Sequence, residues 1–264
     1  MNWEVQTMPS KTSFCNGTEF RKCLSRWWPL WVIYGIILFI MLPGALLNAR
    51  STIPYVSTDQ IGYLSNVILS ETQMLLPLTA FFAGLLAAAA MFGYLYTPRG
   101  AGLAASLPIR RGCMFRTHLL AGLAMLLSAE AVIFGLAVLI EATRFELVIE
   151  PLLIWLGVLA LETVVFYGIA VLCAMFTALV AVCSQIAVPM PWGVPINLAL
   201  FAVYMAGTML GAFWGTVSQL VFVALAAIGV PVLAGFQGGP SAIFGKTGGY
   251  VLGYIFAALI TALI

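Results

Sequence analysis

Tyr96-Thr97-Pro98-Arg99-Gly100-Ala101-Gly102-Leu103-Ala104-Ala105-Ser106-Leu107-Pro108-Ile109-Arg110-Arg111-Gly112-Cys113-Met114-Phe115-Arg116 is the only internal segment that is short, basic and flanked on both sides by long apolar runs. Thr97 followed by Pro98 is a helix start, a hydroxyl N-cap and then a proline whose missing N–H costs nothing there. Pro108 disfavours helical geometry at Leu107, so the helix is limited to about two turns. Leu103 and Leu107, four apart, share one face of it. Held at a membrane surface by Arg110, Arg111 and Arg116, such a helix suits a groove on a soluble partner. A solvated cytoplasmic loop whose arginines only orient the chain fits the same residues.

With 264 residues, 63% of them hydrophobic and 8% charged, the chain reads as an integral membrane protein without room for a large soluble domain. Its cations are clustered. Lys11, Arg21, Lys22 and Arg26 precede the first apolar run, and Arg99, Arg110, Arg111 and Arg116 occupy the central loop. Placing both clusters on one side makes the N-terminus cytoplasmic and puts two spans between them. Residues 18–28 read as an interfacial lead-in, with Phe20, Leu24 and Trp27 toward lipid and the cations toward headgroups. No cleavable signal is visible. The five cysteines follow neither a disulfide nor a metal spacing.

The apolar runs define the spans: Trp28–Leu47, Met74–Tyr96, Leu119–Ile140, Pro151 to about Ala181, about Ile196–Gly211, and Gly249 onward. Gly207, Gly211 and Gly215 recur every four residues, which on a straight helix makes one face for a closely approaching backbone. Residues 184–195 hold Pro189, Pro191 and Pro195 and read as a cytoplasmic turn. Residues 216–236 form a further apolar run, either a seventh span or a pair of re-entrant helices. The last span is still apolar at Ile264, so the polypeptide is either cut there or continues.

Ser106-Leu107-Pro108-Ile109-Arg110-Arg111, then Phe115 and Ala121-Gly122-Leu123, resembles the cytoplasmic loop of bacterial type-2 ABC exporter permeases. The resemblance covers about residues 94–123 and elsewhere rests on span order. It implies that residues 97–116 carry a coupling helix, with Leu103, Leu107, Ile109, Arg110 and Arg111 docking on the ATPase. It also implies an N-terminal elbow helix over residues 1–27 and a re-entrant segment at 216–247 on the outer side. By that resemblance ATP and magnesium belong to separate ABC ATPase subunits, and a second permease completes a homo- or heterodimer in the bacterial inner membrane.

Chemistry within the chain is sparse. Gly239 to Thr247 misses a phosphate loop by one residue and follows no strand, so nucleotide binding is not expected here. His118 is the only histidine, which excludes a His-based metal cluster or a serine triad. Basic residues among aromatics at 20–31 fit membrane anchoring rather than nucleic acid. Glu130 and Glu162 stand out. Each lies ten or eleven residues into its span, about 16 Å at helical rise, near the centre of a core about 30 Å thick. Intramembrane carboxylates mark either a pathway or a side chain hydrogen-bonded between helices, here through Ser128, Thr163 or Tyr167.

The expectation is therefore a single all-α membrane domain of six transmembrane helices. It has an elbow helix, a coupling helix between spans two and three, and a re-entrant segment before span six. As an exporter permease it is no enzyme and holds no cofactor or metal of its own. A proton- or ion-coupled carrier using Glu130 and Glu162, and a scaffold or sensor subunit without a path, are the alternatives.

Overall fold

The computed structural model describes residues 15–52, 75–96, 100, 102, 106, 111–143, 149–188, 196–245 and 248–264. Asn16 starts the first helix, α1 (Gly17–Phe39), by accepting from the N–H groups of Thr18 and Glu19 at 3.1 and 3.4 Å. Two of the first turn's unpaired donors are thereby satisfied. Trp27 leaves helical geometry, with φ −107° and ψ 16°, two residues before Pro29. The proline ring and its missing N–H account for the bend. The basic lead-in and the span are thus two helical segments that meet at a kink at Trp27.

Pro43 lies in a single π turn, Ile40–Gly44, that leads into α2 (Ala45–Thr52). Tyr34, Leu38, Leu42 and Leu46, each four residues from the next, make the buried stripe of this long element, and α1 lies against the helix that begins at Arg111. Within a bilayer that burial stabilises through close packing, because lipid tails are as apolar as leucine.

Helix α3 (Leu76–Phe92) ends in a 3₁₀ turn, Gly93–Tyr96. Through its middle the faces are divided by size: Ala80, Ala83, Ala87 and Ala88 are buried, while Leu78, Phe82 and Leu86 point outward. The small face lets α3 pack closely on the helix that carries Tyr167, where Gly84 lies against the backbone of that residue. Helices α4 (Arg111–Ala142) and α5 (Ile149–Gln185) have 32 and 37 residues. At about 1.5 Å per residue both exceed a hydrocarbon core of about 30 Å, so they tilt or protrude.

After α5, strands β1 (Ala187–Val188) and β2 (Ile196–Asn197) pair antiparallel, Ala187 with Asn197 and Val188 with Ile196. Helix α6 (Ala199–Ile228) consists of two helical limbs that meet at a kink. Gly211 has φ 77° and ψ 177°, open only to glycine. A Cβ on Gly215 would lie 3.0 Å from both the Ala206 oxygen and Gly207 Cα. In a straight helix those residues would stand about 13 Å apart along the axis. The chain doubles back at Gly211. A short helix α7 (Pro240–Ile243) and α8 (Gly248–Leu263) follow, with α8 packed along α6.

Among the described residues five helices are long and apolar enough to cross a membrane, α6 among them, and α8 is a shorter apolar sixth. Because α6 folds back, its limbs over 199–210 and 212–228 are only about 18 and 25 Å long. A helical hairpin turning at Gly211 occupies the stretch expected to hold a single span at 196–211 and the start of a re-entrant segment at 216–247. The reversal comes from the backbone conformation of Gly211, which hydropathy does not register.

Candidate functional site

The most elaborate polar structure forms a cap where α5, α6 and α8 come together. Helix α6 ends at Gly229, and the chain then turns through Val230–Gly239, closed by a hydrogen bond of 3.1 Å from Leu233 N–H to the Gln237 carbonyl. Gln185, the last residue of α5, grips this turn from both directions. Its Nε2 donates to the Leu233 carbonyl at 2.9 Å, and its Oε1 accepts from the Phe236 N–H at 3.1 Å. Ser184 donates to the Val232 carbonyl at 2.5 Å, and Gly239 N–H to the Ala226 carbonyl at 2.7 Å. Phe236, held at φ 56° with its ring exposed, is the one described non-glycine residue at positive φ. For an aromatic side chain that conformation is strained and needs the surrounding bonds to persist.

The rest of the cap comes from the short ribbon and α8. Leu198 N–H donates to the Ile186 carbonyl at 3.1 Å, tying the two sides of the ribbon together. Tyr254 on α8 donates to Asn197 Oδ1 at 3.3 Å, and Tyr250 packs edge-on against the Tyr254 ring at 5.2 Å. Uncharged amides, hydroxyls and aromatic rings thus share one end of the helices. By sequence, Ser184 and Gln185 fall in a turn, residues 230–239 in a re-entrant segment, Asn197 in the fifth span and Tyr250 and Tyr254 in the sixth. The available signal was Ser184-Gln185 closing an apolar helix, together with the uncharged Gly235 to Pro240 run.

Glu130 and Glu162 lie elsewhere, on α4 and α5. Glu130 is buried, and its Oε1 accepts from Tyr34 on α1 at 3.0 Å and from Thr163 on α5 at 2.6 Å. One carboxyl oxygen therefore joins three helices. Glu130 Oε2 and Glu162 Oε2 are buried without a hydrogen-bond partner. Ser128 and Tyr167 serve other contacts: Ser128 accepts from Trp31 Nε1 at 3.0 Å, and Tyr167 donates to the Leu119 carbonyl at 3.2 Å.

Gly207 and Gly215 do permit close backbone approach, but inside this chain. A Cβ on Gly207 would lie 2.6 Å from the Ala258 oxygen of α8, and Gly215 faces the first limb of its own helix. Gly211 shares no face with them, since it is the turn. Of the coupling residues, Leu103, Leu107, Ile109 and Arg110 lie outside the described residues, and Arg111 is the exposed first residue of α4. Among the described residues no three His, Cys, Asp or Glu side chains gather to hold a metal ion.

The BioY family model matches residues 168–264, from the second half of α5 to α8, and so takes in the whole cap. The biotin transporter BioY of Rhodobacter capsulatus is 42% identical over 94 residues, covering 35% of this chain and 50% of that protein. The biotin transporter BioY of Thermotoga maritima is 39% identical over 90 residues, 34% of this chain and 53% of the relative. A probable biotin transporter BioY of Pyrococcus horikoshii is 44% identical over 92 residues, 35% and 56% of the two chains. The chain spans about half the length of the curated relatives it matches. No solved structure matches it significantly.

These matches overturn the resemblance to type-2 ABC exporter permeases, and with it the exporter function and the basis for a second permease. The ion-coupled carrier fits no better. The resemblance rested on a proline-bounded basic loop, which the positive-inside rule demands of multi-pass proteins generally. The matched stretch lies wholly after that loop. Several apolar helices and transporter relatives identify a multi-pass cell-membrane protein similar over its last 97 residues to BioY transporters.

Proposed function

We propose that this chain is a membrane-embedded biotin-binding component of a transporter, with the cap at the ends of α5, α6 and α8 as its ligand site. The observation that carries this reading is the coincidence of the BioY match, residues 168–264, with the described residues that build the cap. Biotin presents a fused ureido ring with one carbonyl acceptor and two N–H donors, a thioether ring and a carboxylate tail. Uncharged amides and hydroxyls on an aromatic floor suit such a ligand, since ligand sites combine apolar surface with a few fixed polar groups. Asn197 and Tyr254 bond to each other at 3.3 Å, a long contact that a ureido group exchanges for its own donors and acceptor, and Phe236 and Tyr250 offer ring faces. Gln185 is a positioning residue, because its amide is spent on the turn. Movement of the ligand draws on a separate ATP-hydrolysing partner, which holds the ATP and magnesium.

Radiolabelled biotin binding to the purified protein in detergent tests the reading. Saturable binding displaced by unlabelled biotin, and weakened by Asn197→Ala and Tyr254→Phe in folded protein, is the expected result. A folded native chain that binds no biotin would refute it.

A further inference from the structure

Two cavities meet at Arg26 and Trp27, far along the chain from the cap. One, of about 470 Å³, runs between α1 and α3 and is apolar, with Ile33 on one wall and Leu78 and Phe82 on the other. The second, of about 690 Å³, is bordered by Lys22, Ser25 and Tyr94 and is more polar. Arg26 and Trp27 line both. The trough extends from Arg26 to Ile37 on α1 and from Leu75 to Leu86 on α3. Eleven residues at helical rise make about 16 Å, half of a hydrocarbon core of about 30 Å. Its depth is that of one leaflet. Ile33, Leu78 and Phe82 are exposed, so the trough opens outward where lipid would lie.

Charge selects the occupant. Glu19 borders the polar cavity, but Lys22 pairs with it at 2.8 Å. Arg26 makes no ion pair among the described residues and has its guanidinium 5.6 Å from the Trp27 ring centroid. A cation without a counter-ion among the described residues therefore stands where an apolar, leaflet-deep trough meets a polar basin. A planar guanidinium receives carboxylate or phosphate oxygens in pairs, and at the depth of a bilayer headgroup the anion at hand is phosphate.

We propose that the groove between α1 and α3 binds one anionic phospholipid, an acyl chain along the trough and its phosphate and glycerol headgroup at Arg26. Tyr34, which lines the same trough, donates to Glu130, so the lipid lies against the contact that joins α1, α4 and α5. Lipid binding here is independent of biotin binding at the cap.

Native mass spectrometry of the purified protein, offered equal phosphatidylglycerol and phosphatidylcholine with identical acyl chains, tests the assignment. Retention of phosphatidylglycerol should exceed that of phosphatidylcholine by roughly fivefold, the effect of about one basic residue near an anionic surface. Arg26→Gln should equalise the two. Ile33→Trp, which fills the trough from its exposed wall, should lower retention of both, and Leu78→Trp does the same from the facing helix should the first variant fail to fold. Equal retention by the native chain, or a preference that survives Arg26→Gln, overturns the proposal. So does cross-linking of two copies through Ile33→Cys in a chain lacking its native cysteines, which would give the groove to a protein partner.

Discussion

Gln185 Oε1 accepts a hydrogen bond of 3.1 Å from the backbone N–H of Phe236, fifty-one residues later in the chain. The other end of the same amide donates to the Leu233 carbonyl at 2.9 Å, so one side chain closes both ends of the turn that holds Phe236 at φ 56°. Strained conformations of this kind persist only where neighbours over-determine them.

Gln185→Ala should therefore loosen the turn while leaving the helices intact. Removing both bonds leaves the Phe236 N–H and the Leu233 carbonyl without this partner, a cost of about 1–3 kcal/mol per buried group and less for the exposed one. Biotin affinity should fall, with only a small decrease in thermal unfolding temperature in detergent. Gln185→Glu keeps the acceptor for Phe236 and loses the donor to Leu233, so its affinity should lie between those of the native and alanine proteins. Affinities of the three measured side by side check the order.

Gly211 tolerates no side chain, for a reason separate from space. Nothing lies within 4 Å of a Cβ built there, yet φ 77° with ψ 177° belongs to glycine alone. Gly211→Ala should destabilise the folded protein by about 1–3 kcal/mol. Gly207→Ala should be damaging by the opposite route: its backbone is helical, but the new Cβ meets the Ala258 oxygen at 2.6 Å. Thermal unfolding followed by size-exclusion chromatography distinguishes both from the neutral control Gly253→Ala, whose Cβ meets nothing within 4 Å.

Glu130 is expected to act as a structural hydrogen-bond acceptor between helices. Glu130→Gln keeps an oxygen for Tyr34 and Thr163 and should fold with near-native stability. Glu130→Leu strands both hydroxyls in a buried site, at about 1–3 kcal/mol for each unsatisfied group. Biotin binding should be unchanged in the glutamine variant, because the cap does not contact it. Loss of binding in a stably folded Glu130→Gln protein would instead place this carboxyl on the ligand's path.

The Asn197–Tyr254 pair gives a sharper test of the cap. Tyr254→Phe removes the donor but keeps the ring packed against Tyr250 and Phe222. Its loss of biotin affinity should be about tenfold or less, the worth of one neutral hydrogen bond. Tyr254→Ala adds the loss of packing and should cost more. Titration with labelled biotin, alongside unfolding temperatures, separates the two contributions.

Composition and hydropathy alone determine that the chain is helical and crosses a membrane, because no bilayer core can satisfy an exposed backbone except through helices or closed barrels. The two intramembrane carboxylates were equally legible, since a charge-bearing residue in an apolar run is conspicuous wherever it lies. Their partners were legible only in part: Thr163, thirty-three residues from Glu130, stood among the candidate hydroxyls, whereas Tyr34, ninety-six residues away, follows from helix packing and from no local pattern. The basic loop at 97–116 attracted the functional reading, yet its arginines report orientation pressure common to multi-pass chains and carry little specificity. Only the tertiary structure decided the reversal at Gly211 and the cap beyond it. A four-residue glycine repeat reads the same on a straight helix and on a hairpin, and the difference is one φ/ψ pair. The cap escaped notice because its bonds run largely to backbone groups. Any residue supplies those groups, so the gathering of Gln185, Leu233 and Phe236 leaves no mark in the sequence.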